Sequence, residues 1–397
     1  MTLTLLLDLD DTLLNTNLQS FVPAYFQALA NELAPQITPT LMFRALIAGT
    51  QKMNESKDFS KTLKEVFDEE FYPQIDVERG KLDSAIENFY DNVFPTLQNL
   101  TSPKPEAKPF VEWALAQGFR IAIATDPLLP TKATHHRLRW AGFEPSQFEI
   151  VSTYENFHFS KTHSAYYAEV LGRMGWSDSP VLMVGNDMDR DIIPAKRLGL
   201  KTFLVDVEPA STSTGEADSA GSLSDLRLWL ESLDLTSLTP DFKSKESVSA
   251  IMSATPAVLN GMLKNIEPEL WSLKPSDNDW TLTELICHLR DTEREIHHMQ
   301  LKLFNEKEEP FIPRPDTGVW ASQRDYMHEN GITALKEFNT TRRETFSFLD
   351  STPDEAWMQK ARHAIFGPTN FLEVTGFMAE HDRLHIQQAY SALNKLQ

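Results

Sequence analysis

Leu5-Leu6-Leu7-Asp8-Leu9-Asp10-Asp11-Thr12-Leu13-Leu14 decides how the chain is read. A short run of branched apolar residues has the pattern of a strand buried on both faces. Three acids crowd its end within four positions, and like charges so placed are costly unless a cation or a reaction uses them. Asp8 and Asp10 stand two apart, so on a strand their side chains leave the same face and can reach one ion or one substrate. The competing structural reading makes Asp11 or Thr12 the cap of a helix.

Beyond this stretch, residues 16 to about 100 carry helical periodicity, as in Phe21 to Leu29 and Leu82 to Tyr90, and no strand pattern. This is expected to be a helical insertion, with Ser102-Pro103-Lys104-Pro105-Glu106 returning the chain to its parent domain. Phe110 to Gln117 then reads as a helix closed by Gly118, and Phe119 to Ala124 as a buried strand running into Thr125-Asp126-Pro127. A helical stretch from Lys161 to Gly175 leads into a strand, Pro180 to Gly185, followed by Asn186-Asp187-Met188-Asp189-Arg190-Asp191. Ile192 to Leu198, Gly199 and the strand Lys201 to Val205 complete the alternation. Strands alternating with helices imply a doubly wound parallel sheet whose ligands gather at the carboxyl ends of the strands. Three such ends carry Asp8 with Asp10, Thr125, and Asn186 with Asp187 and Asp191, and Lys161 offers a cation to phosphate or carboxylates.

This set resembles the four motifs of the haloacid dehalogenase superfamily, over roughly residues 1 to 230. The resemblance implies a Rossmannoid core with a helical cap. It implies that Asp8 is a nucleophile forming an aspartyl-phosphate and that Asp10 protonates the leaving group and later activates water. Thr125 and Lys161 would hold the phosphoryl group, and acids of the fourth motif would complete a Mg²⁺ site with Asp8 and Asp10. Dehalogenating members lack an acid two positions after the nucleophile, so Asp10 favours phosphoryl transfer to a small phosphorylated substrate. The fourth motif departs from the commoner Gly-Asp, leaving either Asn186 or Asp187 as the metal ligand. Asn17, Phe21, Tyr25 and Arg44 of the cap either face the leaving group or pack within the cap. Glu155, His158 and His163 read as surface residues.

At 397 residues the chain exceeds the roughly 250–300 that one core supports, so two domains are expected. The polar run Pro209 to Ser222 reads as a loop, Leu223 to Leu233 as a closing helix, and residues 236–245 as a linker between domains at 1–235 and 246–397. After Glu246 the pattern is helical throughout: Val248 to Ile266, Thr281 to Phe304, Ala321 to Leu349 and Asn370 to Leu396 suggest an all-α four-helix bundle. His381 and His385 share one helix face. Meeting His288 inside the bundle they would make a three-imidazole site with open positions, suited to Zn²⁺, Ni²⁺ or Fe²⁺; the competing reading of the pair alone is an exposed helix face. His297, His298, His328 and His363 read as surface residues, and Cys287 as a core residue.

Trp280 to Glu293 and Glu380-His381-Asp382-Arg383-Leu384-His385 resemble the two signature segments of the DinB-like four-helix bundle family. The likeness implies His288, His381 and His385 as ligands of a divalent metal without fixing a reaction. The first reading is a Mg²⁺-dependent phosphatase fused to this metal-binding bundle. The alternatives make the bundle the principal enzyme, a thiol-dependent transferase or hydrolase, or a non-catalytic sensor or oligomerisation module.

A formal net charge of -20 argues against nucleic acid or an anionic membrane as the main partner. The single cysteine fits a reducing compartment, the apolar start lacks a basic segment, and no apolar run approaches the ~18 residues of a spanning helix. A cytoplasmic location is expected, and a homodimer is left open. Neither a Gly-x-x-x-x-Gly-Lys loop nor a Gly-x-Gly-x-x-Gly fingerprint occurs, so kinase and dehydrogenase readings lack support.

Overall fold

A computed structural model describes residues 2–205 and 216–396. The chain divides into two compact units, residues 1–170 with 178–241, and residues 171–177 with 242–397.

The opening apolar run forms strand β1 (Thr4–Leu7), every residue of which is buried. The acids beyond it do not cap a helix. Instead Leu13 and Leu14 donate backbone hydrogen bonds to Leu9 (both 2.9 Å), Asp11 adopts φ 54°, and its Oδ1 accepts from Thr16 N (2.7 Å). Strand β2 (Leu14–Thr16) follows, then helices α1 (Leu18–Leu33), α2 (Pro39–Glu55), α3 (Leu63–Ile75) and α4 (Asp83–Asn88), and strand β3 (Thr101–Pro103). β2 and β3 pair antiparallel, Leu14 opposite Pro103. This two-stranded stem frames the helical insertion. Its strands are too short for an alternation pattern to show them, which is why only helix was expected there.

The parent domain continues through α5 (Ala107–Ala116), β4 (Arg120–Ile123), α6 (Thr131–Trp140), β5 (Ile150–Val151), α7 (Ser164–Arg173), β6 (Val181–Gly185), α8 (Ile193–Leu198), β7 (Lys201–Val205), β8 (Ser219–Gly221) and α9 (Leu223–Ser232). The sheet runs in the order β5-β4-β1-β6-β7-β8, parallel throughout. β5 and β8 are additions to the expected strands. Of the polar run Pro209 to Ser222, residues 209–215 lie outside the described residues, and Ser219–Gly221 forms the sheet edge instead of a loop. β1 sits at the centre, with Leu7 opposite both Ile123 and Val184. That register brings the carboxyl ends of β1, β4 and β6 side by side.

In the second unit α10 (Lys245–Leu263), α11 (Leu282–Asp291), α12 (His298–Glu306), α14 (Gly331–Ser351) and α15 (Phe371–Leu396) supply the bundle. The expected helix 281–304 is joined across residues 292–297 by a wider π-type turn. The expected helix 321–349 is broken, because α13 (Trp320–Gln323) ends ahead of a turn with Asp325 at φ 55°. Strands β9 (Phe311–Ile312), β10 (Lys360–His363) and β11 (Gly367–Asn370) form a small sheet that the helical reading of this half missed. Among the described residues no helix is long and apolar enough to cross a membrane.

Gly199 ends α8 at φ +103°, and a Cβ there would stand 1.9 Å from the Asp241 carbonyl oxygen. Gly199→Ala is therefore expected to destabilise the first unit by about 1–3 kcal/mol, read from urea unfolding. A loss below about 0.5 kcal/mol, typical of a neutral surface change, would show that the loop at Asp241 yields freely.

Candidate functional site

At the three adjoining strand ends, Asp8 N donates to Val184 O (2.9 Å) and Ala124 N to Leu7 O (2.7 Å), so Asp8, Thr125 and Asn186 lie on one edge. Asp8 and Thr125 are buried. The carbonyl of Thr125 is held by Ser152 Oγ (2.6 Å) and Tyr166 Oη (2.8 Å). Lys161 precedes α7 instead of starting it, and its buried ammonium bonds Asp8 Oδ1 (2.6 Å) and pairs with Asp191 Oδ1. Burial works against the charge on Lys161, but the Asp191 and Asp8 carboxylates outweigh it and hold the ammonium well above the ordinary lysine range. Burial pushes the Asp191 carboxyl up to about 7 against the pull of Lys161, with Asp8 adding to the rise. Gly185 makes room for this group, since a Cβ there would stand 2.2 Å from Asp191 Oδ2.

The remaining fourth-motif residues divide. Asn186 Oδ1 faces Thr12 Oγ1 at 3.5 Å. The Asp187 carboxylate instead accepts from Asp189 N (2.8 Å) and Arg190 N (3.1 Å), capping its own turn. Asp10 is ion-paired with Arg137 of α6, a residue the sequence reading passed over. Arg137 is 4 % exposed, and burial lowers its guanidinium to about 10 despite the Asp8 charge. The available signal was an arginine on the same stripe as Ala133 and Leu138, both of which are buried.

Phe21 and Tyr25 of the cap line a cavity that reaches Asp10 and Arg137. Asn17 caps α1 through Ser20 N, and Arg44 is exposed. His158 is buried, contrary to a surface assignment, because Glu169 takes both its backbone N–H (3.1 Å) and its ring Nδ1 (2.7 Å). Glu155 and His163 are half-buried. Glu155 accepts from Thr131 N and Oγ1.

In the second unit a capping box, Thr281 with Glu284, starts α11 and sets the face carrying His288. His381 and His385 lie on α15. The three rings converge: His381 Nε2 is 3.1 Å from His288 Nε2 and 3.0 Å from His385 Nε2. Nitrogens about 2.1 Å from a common ion stand roughly 3.0–3.4 Å apart, so the spacing fits a facial metal site. Among the described residues this is the group of three whose ligand atoms all fall within 4.8 Å of one another. His385 Nδ1 donates to Gln388 Oε1 (2.8 Å), which leaves its Nε2 lone pair inward. Burial drives all three imidazoles neutral, His288 to about 3. Trp280 stacks on His385 (5.9 Å, 5°), and with Gln388 it borders a cavity of about 200 Å³.

Behind the triad, Arg342 bridges Asp382, next to His381, and Glu293, whose Oε2 meets His297 Nδ1 at 2.7 Å. Arg342, Glu293 and Asp382 are all 0 % exposed. His297 and His363 are buried, not surface residues. His297 is drawn in by its carboxylate partner, and His363 Nδ1 by the backbone amides of Ile365 and Phe366. His298 is half-buried and His328 exposed. Cys287 is buried and its thiol pushed up to about 12, chiefly by burial, so it does not supply a thiolate at neutral pH.

Family models match the chain twice, haloacid dehalogenase-like hydrolase over residues 2–199 and the DinB superfamily over residues 251–389. The chain joins a haloacid dehalogenase-like hydrolase to a DinB superfamily domain. The hydrolase half is similar to a ribulose-1,5-bisphosphate 5-phosphatase of Halopiger xanaduensis, 33% identical over 30% of this chain and 48% of that protein. It is also similar to a glyceraldehyde 3-phosphate phosphatase of Methanocaldococcus jannaschii, 32% identical over 27% of this chain and 45% of that protein. The chain thus spans about half the length of the curated relatives it matches. Among solved structures, YfiT of Bacillus subtilis, with its unusual four-helix bundle topology, shares 19% identity and a TM-score of 0.33, covering 36% of this chain and 85% of YfiT.

Breaking the buried DinB-domain network by Arg342→Met strands two carboxylates and is expected to cost about 3–5 kcal/mol. Chemical unfolding of the second unit reads this, and a loss under about 1 kcal/mol would mean that water reaches the carboxylates. The neutral triad also sets a pH dependence. Its imidazoles titrate lower folded than unfolded, so the unfolded chain binds more protons below about 6.5. Metal-free bundle stability should fall as the pH is lowered from about 6.5 toward 3. A flat profile across that window would contradict burial of neutral rings.

Proposed function

We propose that the chain is a Mg²⁺-dependent phosphatase of a small phosphorylated metabolite, its hydrolase activity residing in residues 1–235, with a divalent metal held by the bundle at 246–397, in the cytoplasm. The observation that carries the reading is Lys161 Nζ reaching both Asp8 and Asp191 at the strand ends. The relatives named as phosphatases support phosphomonoester chemistry.

An Asp8 carboxylate oxygen attacks phosphorus and the ester oxygen departs with a proton from Asp10, leaving an aspartyl-phosphate. Asp10 then takes a proton from water, which attacks phosphorus and releases orthophosphate and free Asp8. Lys161 and Thr125 hold the phosphoryl oxygens, and Arg137 orients Asp10. The donor set of Asp8, Asp10, Asn186 and Asp191 is all oxygen and suits Mg²⁺, with Asp187 committed to its turn. Bound there, Mg²⁺ would neutralise the anions that must approach one another. In the bundle, His288, His381 and His385 would hold Zn²⁺, Ni²⁺ or Fe²⁺ through Nε2.

Asp8→Asn should lower turnover of a phosphomonoester panel by at least about a thousandfold, and unchanged turnover would remove the phosphatase reading. Asn186→Asp should lower the Mg²⁺ concentration for half-maximal rate, whereas an unchanged requirement would exclude position 186 as a ligand. For the bundle, elemental analysis of the His381→Ala/His385→Ala protein should find the second metal lost, and retained stoichiometric metal would refute the triad.

A further inference from the structure

The first unit encloses a cavity of about 640 Å³ that begins at Asp10 and extends among the cap helices. Away from Asp10 its wall is built from Leu29, Leu33, Leu46, Phe67, Phe71 and Ile86. Four cations also line it, and each is already engaged by an acid of the protein. Lys64 and Arg79 meet the Asp68 carboxylate at 2.7 and 2.6 Å, Lys132 pairs with Glu87 and Asp91, and Arg137 pairs with Asp10. A second phosphate or a carboxylate would have to compete with these protein carboxylates for the lining cations. Neutral hydroxyls interrupt the apolar wall, those of Thr50, Tyr72, Thr131 and Tyr154 and those of a buried tyrosine pair. Tyr25 Oη and Tyr90 Oη lie 2.8 Å apart, and their shared hydrogen bond uses one of two hydroxyl protons. Burial keeps both phenols protonated, Tyr25 up to about 12, so the other proton is available to a neutral acceptor.

Apolar walls reward apolar surface and penalise hydroxyls they cannot pair. We propose that this cavity selects a phosphomonoester whose leaving alcohol is bulky and apolar with one neutral hydrogen-bond acceptor, in place of a sugar phosphate or bisphosphate. The selection rests on the phosphatase reading of Asp8 for its chemistry, but not for its binding preference. A doubly charged leaving group would also meet the lining acids Asp68, Asp83, Glu87 and Glu155, and a hydroxyl-rich one would lay hydroxyls against leucine and phenylalanine side chains over much of the wall. An aryl or branched alkyl group fills the same volume and buries its surface.

The test uses the full-length Asp8→Asn chain with Mg²⁺ and two non-hydrolysable probes sharing one head group, 1-naphthylmethylphosphonate and 2,3-dihydroxypropylphosphonate. Calorimetry should give the naphthyl probe at least about tenfold tighter binding. Ile86→Gln, at a half-buried wall position, should shrink that ratio by severalfold in a protein whose unfolding curve is unchanged. Equal affinities, tighter binding of the diol, or no measurable binding of either probe would overturn the proposal. Wild-type turnover of the matching phosphate esters separates the two readings. Preferred hydrolysis of glycerol phosphate sinks the selectivity and leaves the phosphatase. Hydrolysis of neither ester, with the phosphonate ratio intact, sinks the phosphatase and leaves the cavity's preference.

Discussion

A buried ammonium between two buried carboxylates fixes the chemistry available to the first unit. Lys161 reaches Asp8 across 153 positions of sequence and Asp191 from the next strand end, with all three side chains almost fully enclosed. An isolated charge at that depth would be expelled or neutralised. Three together persist because the parallel register of β1 and β6 sets Asp8 beside the turn that carries Asp191, because Lys161 N is tied to Asp126 (3.2 Å) beyond β4, and because Gly185 leaves the volume that Asp191 occupies. Two anions sharing one cation is a state in which added positive charge is favoured and a phosphoryl group can be received. The sheet is the means by which that arrangement is held.

The second unit meets a similar demand by different means. Its three imidazoles are held neutral by burial, and neutral imidazole is the form that a transition metal binds. The fixed charges stand one layer back, in the Arg342 bridge between Glu293 and Asp382, where they anchor α14, α15 and the turn at 292–297 to one another. Cys287 beside His288 looks reactive on paper, but its burial removes it from that role.

Most of the frame was legible in the sequence because it is written in local signals. Buried strands read as apolar runs, and polar groups at three strand ends pointed to one edge of a parallel sheet. The i, i+4 histidines pointed to one helix face. What escaped was non-local or too short to carry a period. The stem strands and the small sheet around β10 have only two to four residues each. Arg137 was passed over, and His158 and His297 misjudged, because each is buried beside a carboxylate, of Asp10, Glu169 and Glu293 respectively, that only the folded chain brings to it. The engagement of the Asp187 carboxylate likewise depends on backbone amides at 189 and 190, which only the folded turn supplies.

On the proposed mechanism the Asp8 carboxylate itself takes the phosphoryl group. The most direct measurement is borohydride trapping of the full chain during turnover of p-nitrophenyl phosphate with Mg²⁺, followed by peptide mass mapping. An acyl-phosphate at Asp8 would be reduced, so the residue should be recovered as homoserine. Turnover with Asp8 recovered unchanged would contradict the claim.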